Sequence, residues 1–241
     1  MKTAIGISTY LTNETINDRL SIIKKSIDSL VNTNYNGDIY IIDDGSNIKE
    51  HLEYIKNIND SRIYIIERKE NGGIAKTKNT SIKLILENND IGFLADDDVL
   101  YKNGWDALYE NAIRDTKFEH FTLYVEDRKE IPIIKINNTN ILKLPHIDGC
   151  FLTISKNIIN QIGYFKIFPY KFGHEHSNFT IRCKANNLIP HYMDVENSNK
   201  YLSLVPESLS NRSLKNIDKT QFNANEKLIW DNIYEKERRI E

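Results

Sequence analysis

An α/β fold, with a mixed, mainly parallel sheet flanked by helices, is predicted for this chain by three features. Short β-branched runs alternate with segments of helical period through the first hundred residues. The runs are almost continuously apolar, as strands buried on both faces are. Clusters of polar and acidic residues close each run, at the strand ends where open α/β sheets bind their ligands.

The strands are expected at 3–9 (TAIGIST), 38–43 (DIYIID), 62–67 (RIYIIE) and 91–95 (IGFLA). Between them, Ile16, Leu20, Ile23, Ile27 and Leu30 recur every three or four residues, and Ala75, Ile82 and Leu86 fall towards one side of a second helix. Strand and helix alternating at this pace give βαβ units with right-handed crossovers. Beyond residue 100 a helix is expected near 103–114. Strands are expected at 120–127, 130–136 and 149–155. Ser155 should cap a helix that Gly163 ends, and a loop from 172 should enter a helix finishing at Asn186 or Asn187. After Pro206 the chain turns polar, and an amphipathic C-terminal helix is expected to dock through Leu228, Trp230 and Ile233. The organisation expected is one domain over 1–205, in two halves that divide at about residue 100, and a helical extension over 206–241.

The chain has 241 residues, 40% hydrophobic and 27% charged, with a formal net charge of −2. That composition fits a folded globular protein and gives no basic footprint for nucleic acid. Cys150 and Cys183 make no disulfide framework, so a reducing interior is expected. No run approaches the ~20 apolar residues of a transmembrane segment, and the N-terminus lacks a signal-peptide pattern. A cytoplasmic protein is the expectation.

Three motifs carry chemistry. Asp96, Asp97 and Asp98 follow an apolar run directly, and their mutual repulsion favours a nearby cation. Hard divalent ions such as Mn²⁺ and Mg²⁺ take carboxylate, phosphate and water oxygens. A solvated turn capping the next helix is the plainer alternative. The second motif, IIDDGSN, ends a strand in Asp43 and Asp44, whose acceptor oxygens suit a base N–H or a ribose hydroxyl, or else an Asx turn. In ENGGIAKTKNTSI, Gly72 and Gly73 allow close backbone approach, and a helix N-terminus favouring anions follows.

In this order and spacing, with DGCFLTISKNIINQIGYF and FGHEHSNFTIRCKANN further on, the motifs resemble the nucleotide-sugar-binding half of GT-A (Rossmann-like) glycosyltransferases, family 2 in particular. The resemblance covers most of residues 4–187. It implies a metal-dependent transfer of sugar from a nucleotide diphosphate sugar, normally a UDP-sugar, to a hydroxyl of a glycan or other acceptor. Inversion is the expected outcome. It places Ser8, Thr9, Tyr10, Asp43, Asp44, Asn71, Gly73, Lys78 and Asp96 around the donor, with Asp44 on the base. Asp97 and Asp98 are the implied metal ligands, and His191 is a candidate by order. Many relatives read D-x-D-D where this chain has Ala95 before its three aspartates, so which two hold the ion stays open. The GHEH stretch is similar to the G-H-E-D segment of hexosamine- and galactose-transferring relatives. It makes Glu175 the first candidate for general base and His176 the second. Gly149, His174 and Arg182 are the implied acceptor-side residues. Two rivals remain. A nucleotidyltransferase would need a Gly- and Lys/Arg-rich loop where this chain has STYLTNET. A non-catalytic nucleotide-sugar-binding or partner subunit would bind without turnover.

Overall fold

A computed structural model describes residues 1–13, 16–169, 171 and 173–211. Five strands form the central sheet: β1 (Thr3–Thr9), β2 (Asp38–Asp43), β3 (Ile63–Glu67), β4 (Ile91–Asp96) and β8 (Phe151–Ser155), in the order β3-β2-β1-β4-β8. The first four run parallel and β8 runs antiparallel to β4. Each of the four parallel strands starts and stops within a residue of its sequence-based position. The connecting helices are α1 (Ile16–Val31), α2 (Lys49–Lys56) and α3 (Ile74–Asn88). The helix α2 escaped the sequence reading: it is short, has no side-chain cap, and buries only His51 and Ile55.

What positions the site is the closeness of α3 to β1 and β4. A Cβ at Gly6 would lie 2.6 Å from the Ser81 Cβ, and one at Gly92 would lie 2.2 Å from the Ile85 Cγ2. Their absence lets the helix lie flat on the sheet, with its N-terminus beside the ends of β1 and β4. Successive strand residues face opposite ways, so Phe93 points to the other side. There it meets Trp105 and Tyr109 of α4 (Trp105–Thr116) and Phe151 of β8, with centroid separations of 4.8, 6.5 and 5.8 Å. The cap preceding α4 is Gly104 in the left-handed region, so the acidic triplet does not cap this helix. A short strand follows the triplet instead, β5 (Val99–Tyr101), paired antiparallel with β10 (Leu202–Leu204).

The second half holds a three-stranded sheet of β6 (Ile133–Ile136), β7 (Thr139–Lys143) and β9 (Met193–Val195). The strand expected at 120–127 does not form. Its backbone alternates partners, Thr122 N–H donating to Met193 O and Leu123 N–H to Phe151 O, because the segment bridges the two sheets. Only a single bridge, Thr122 to Leu152, is regular. Ser155 does cap α5 (Lys156–Ile162), accepting from the Ile158 N–H, and Gly163 follows it. The helix α6 spans Glu175–Ala185 with Asn186 at its C-cap, and α7 is Pro206–Asn211. The expected terminal helix with Leu228, Trp230 and Ile233 lies outside the described residues. Among the described residues, no helix is long and apolar enough to cross a membrane.

His120 ties β8 to α6, its Nδ1–H donating to Thr153 O and its Nε2 accepting from the Thr180 hydroxyl, both at 2.8 Å. Both ring nitrogens are committed to the neutral form, and burial drives its pKa down to about 4. The unfolded chain, titrating near 6.5, then binds one more proton than the folded protein between those values. Stability therefore falls as pH drops from 6.5 to 4, by on the order of 3 kcal/mol from this group. His120→Gln should flatten that part of the stability–pH curve, read by urea unfolding at pH 7, 5.5 and 4.5. An unchanged slope would mean another group sets it.

Candidate active site

A cavity of about 660 Å³ opens at the carboxyl ends of β1, β2 and β4 and the N-terminus of α3. That volume suits a nucleotide-sized ligand. Ser8, Thr9 and Tyr10 line it from the end of β1, and Asp44 from the end of β2. Asn71, Gly73, Ile74 and Thr77 come from the turn into α3, and Asp96 and Asp97 from the end of β4. Arg19 of α1, Pro169 and Lys171 complete the wall. Eight of the residues expected around the donor or the metal thus converge on one space.

The glycine turn is built by Asp44. Its two carboxylate oxygens accept from the Gly72 N–H at 3.0 Å and the Gly73 N–H at 2.8 Å, and Arg68 Nε lies 3.1 Å from Oδ1. Asn71 Oδ1 also accepts from the Gly73 N–H. Gly73 has φ +87°, and a Cβ on it would sit 2.4 Å from Lys171 O. Glycine is needed here on both counts. Ile74 N–H donates to that same Lys171 carbonyl, and Asn79 exchanges two bonds with the Phe165 backbone, so the loop from 163 is fastened to α3.

Electrostatics concentrate at the end of β4. Lys78 is fully buried, and its ammonium lies 2.7 Å from Asp96 Oδ1. Asp97 is buried as well; its Oδ1 receives the Arg19 guanidinium, and its Oδ2 accepts no hydrogen bond. The Thr9 hydroxyl stands close enough to favour the charged form without completing a bond. Burial, supported by Asp98 and Asp96, pushes the Asp97 carboxyl up, against the pull of Arg19. Such an open, buried carboxylate oxygen is a hard donor, and the residues present fit a divalent cation.

Glu175 and His176, the expected bases, are buried at the start of α6 and are not among the residues that line the cavity. Gly173 and His174 both have positive φ, +110° and +63°, and turn the chain into the helix so that Glu175 is its first residue. Burial raises the Glu175 carboxyl, but the hydrogen bond and charge of His176, with Nδ1 3.3 Å from Oε1, outweigh it and hold the group below its usual value. Asp96 is near enough to oppose that shift. Asp96 N–H donates to Cys150 O, which draws Gly149 alongside, and a Cβ on Gly149 would meet His176 Nδ1 at 2.3 Å.

Other expected residues stand elsewhere. Asp43 does not line the cavity: its carboxylate accepts from His51 Nε2 and from the Ser46 N–H. Burial raises its pKa, but those bonds prevail and lower it. Asp98 and Lys78 are beside the cavity rather than in its lining. Arg182 is buried and bonded to Asn178 Oδ1 and to the Ile162 and Tyr164 carbonyls, a clasp between α6 and the preceding loop; burial pulls its pKa down to about 10. His191 is not among the lining residues. Partial burial, with Lys143 and Lys184 nearby, depresses its pKa, and such a cationic setting disfavours a metal. Arg19, Ile74, Thr77, Pro169 and Lys171 were not foreseen. For Thr77 and Lys171 the adjacent glycine turn and GHEH segment were the available signal; Arg19 had none.

The model of a known family, described as glycosyl transferase family 2, matches residues 11–186. The chain belongs to this family. A glycosyltransferase of Acanthamoeba polyphaga mimivirus, itself described as uncharacterized, is 41% identical over 220 residues, covering 89% of this chain and 85% of that protein. Similar solved structures include a Pyrobaculum calidifontis mannosyltransferase in complex with GDP-Man and Mn²⁺, with a TM-score of 0.56 at 15% identity over 79% of this chain and 53% of that one. S. aureus TarS with UDP gives 0.59 at 15% identity over 88% and 63%. TarS with UDP-GlcNAc gives 0.56 at 15% identity over 77% and 54%. The chain spans about half to two-thirds of these structures, and the likeness is one of fold. This family 2 glycosyltransferase is therefore a GT-A α/β enzyme whose cavity sits where the fold class puts it.

Gly149→Ala in this glycosyltransferase should push the His176 ring off Glu175 and lower turnover at least tenfold while the protein still folds. Initial rates beside far-UV circular dichroism check this. Full turnover in a folded variant would mean the ring position is immaterial.

Proposed function

We propose that this enzyme transfers a sugar from a nucleotide diphosphate sugar, a UDP-sugar, to a hydroxyl of a glycan or similar acceptor, with inversion and with Mn²⁺ or Mg²⁺ as cofactor. The observation that carries this reading is the buried Asp97 carboxylate, with an open oxygen, on the wall of a nucleotide-sized cavity at the strand ends. The family assignment supports transfer, and similar folds solved with UDP, UDP-GlcNAc, GDP-Man and Mn²⁺ support the donor class and a divalent ion.

Each residue then has a task. Tyr10, partly exposed at the rim, offers its ring to the base, with Asp44 behind it. Gly73 brings backbone close to the ligand, and the α3 N-terminus beside it favours the diphosphate. Asp97, with Asp96 or Asp98, would hold the metal, which when bound neutralises charge on the departing diphosphate. Glu175 is the base: ionised at neutral pH, it takes the acceptor proton as the acceptor oxygen bonds to the anomeric carbon. The bond from that carbon to the phosphate oxygen breaks, and the nucleoside diphosphate leaves with the electron pair. His176 positions Glu175 and steadies its charge. His191 has no part in this site.

Release of nucleoside diphosphate from a panel of UDP- and GDP-sugars, followed as an initial rate, tests the reading. Glu175→Gln should lower kcat at least 100-fold with donor affinity kept, because only the proton transfer is lost. A larger loss from His176→Ala would move the base there, and no turnover with any donor and acceptor would contradict the proposal.

A further inference from the structure

Arg19 has no role in the chemistry just described, yet its guanidinium rests on Asp97 Oδ1, the carboxylate assigned to the cation. The two residues are 78 apart in sequence, so the pairing is a product of the fold. The Asp97 side chain is only 1% exposed, while that of Arg19 is 35% exposed and lines the cavity. The carboxylate is buried, while the arginine reaches it on a long flexible stem from the cavity wall. Asp96 already has a buried cation in Lys78, so Asp97 is the acid whose charge balance depends on what enters from the cavity side.

A guanidinium and a divalent ion on one carboxylate repel each other at close range in a poorly screened site. We infer that Arg19 is a built-in competitor for the cation site: it holds Asp97 before the ion binds, and on ion entry leaves that oxygen and turns to the diphosphate. The inference rests on the assignment of Asp97 to the metal. It couples the ion to the nucleotide. The cation expels the arginine, and the diphosphate offers the expelled arginine a new anion, for which a guanidinium is well shaped. Ion and nucleotide should each strengthen the binding of the other.

Mn²⁺ binding, measured by the loss of the free-ion electron paramagnetic resonance signal, separates the outcomes. Wild type, Arg19→Ala, Arg19→Gln and Asp97→Asn are titrated with and without UDP, after thermal unfolding has shown each to be folded. Without nucleotide, both arginine variants should bind Mn²⁺ about tenfold more tightly than wild type, and UDP should improve their Mn²⁺ affinity less than it improves that of wild type. Asp97→Asn should bind no Mn²⁺. Unchanged Mn²⁺ affinity in the arginine variants, with binding still lost in Asp97→Asn, would overturn the competitor role and leave the metal assignment standing. Mn²⁺ binding that survives Asp97→Asn, or is absent from wild type and the arginine variants alike, would overturn both. If one arginine variant does not fold, the other gives the reading alone.

Discussion

The ion pair between Lys78 and Asp96 is the contact on which the rest of the site depends. A lysine with no exposed surface is costly unless its charge is answered, and at 2.7 Å Asp96 answers it. The pair fixes the first turns of α3 against the end of β4. That in turn sets the glycine turn, held by Asp44, over the strand ends. It requires the helix to lie close on the sheet, which Gly6 and Gly92 permit. Removing one partner of such a pair strands the other charge and typically costs about 3–5 kcal/mol, so stability and site geometry here rest on the same atoms.

The acidic triplet is then three different residues. Asp96 is neutralised from within by Lys78, Asp97 from the cavity side by Arg19, and the Asp98 backbone anchors the chain after β10 through the Val205 N–H. One sequence motif supplies a structural anion, a ligand-facing anion and a fold contact. Asp96 is the last residue of β4, whereas Asp97 and Asp98 form the turn into β5.

The four parallel strands were legible because both their faces are covered, which leaves an unbroken apolar signature in each. The Ser155 cap and the Gly163 stop were legible because a cap is a local interaction. The convergence of Ser8, Asp44, Asn71 and Asp96 followed from topology, since parallel strands bring their ends to one edge. The rest depended on distant partners. Nothing near Arg19 announces Asp97, and nothing near Arg182 announces the two carbonyls it clasps. Residues 120–127 have the composition of a strand, but they bond alternately to two sheets, and which neighbours are available is not a local property. Asp43 and Asp44 look equivalent in sequence; His51 eight residues on takes the first, and the glycine turn takes the second.

The central claim is that the strand-end carboxylates hold a nucleoside diphosphate through a divalent ion. Thermal unfolding against UDP, GDP, CDP and ADP, each with and without Mn²⁺, tests it most directly. Saturating ligand at 100 times its Kd adds about 2.7 kcal/mol, which is about 2–4 °C per kcal/mol for a domain of this size. The expected result is a rise in Tm with UDP that requires Mn²⁺. No shift with any of the four nucleotides, or an equal UDP shift with Mn²⁺ and with a chelator, would contradict the claim.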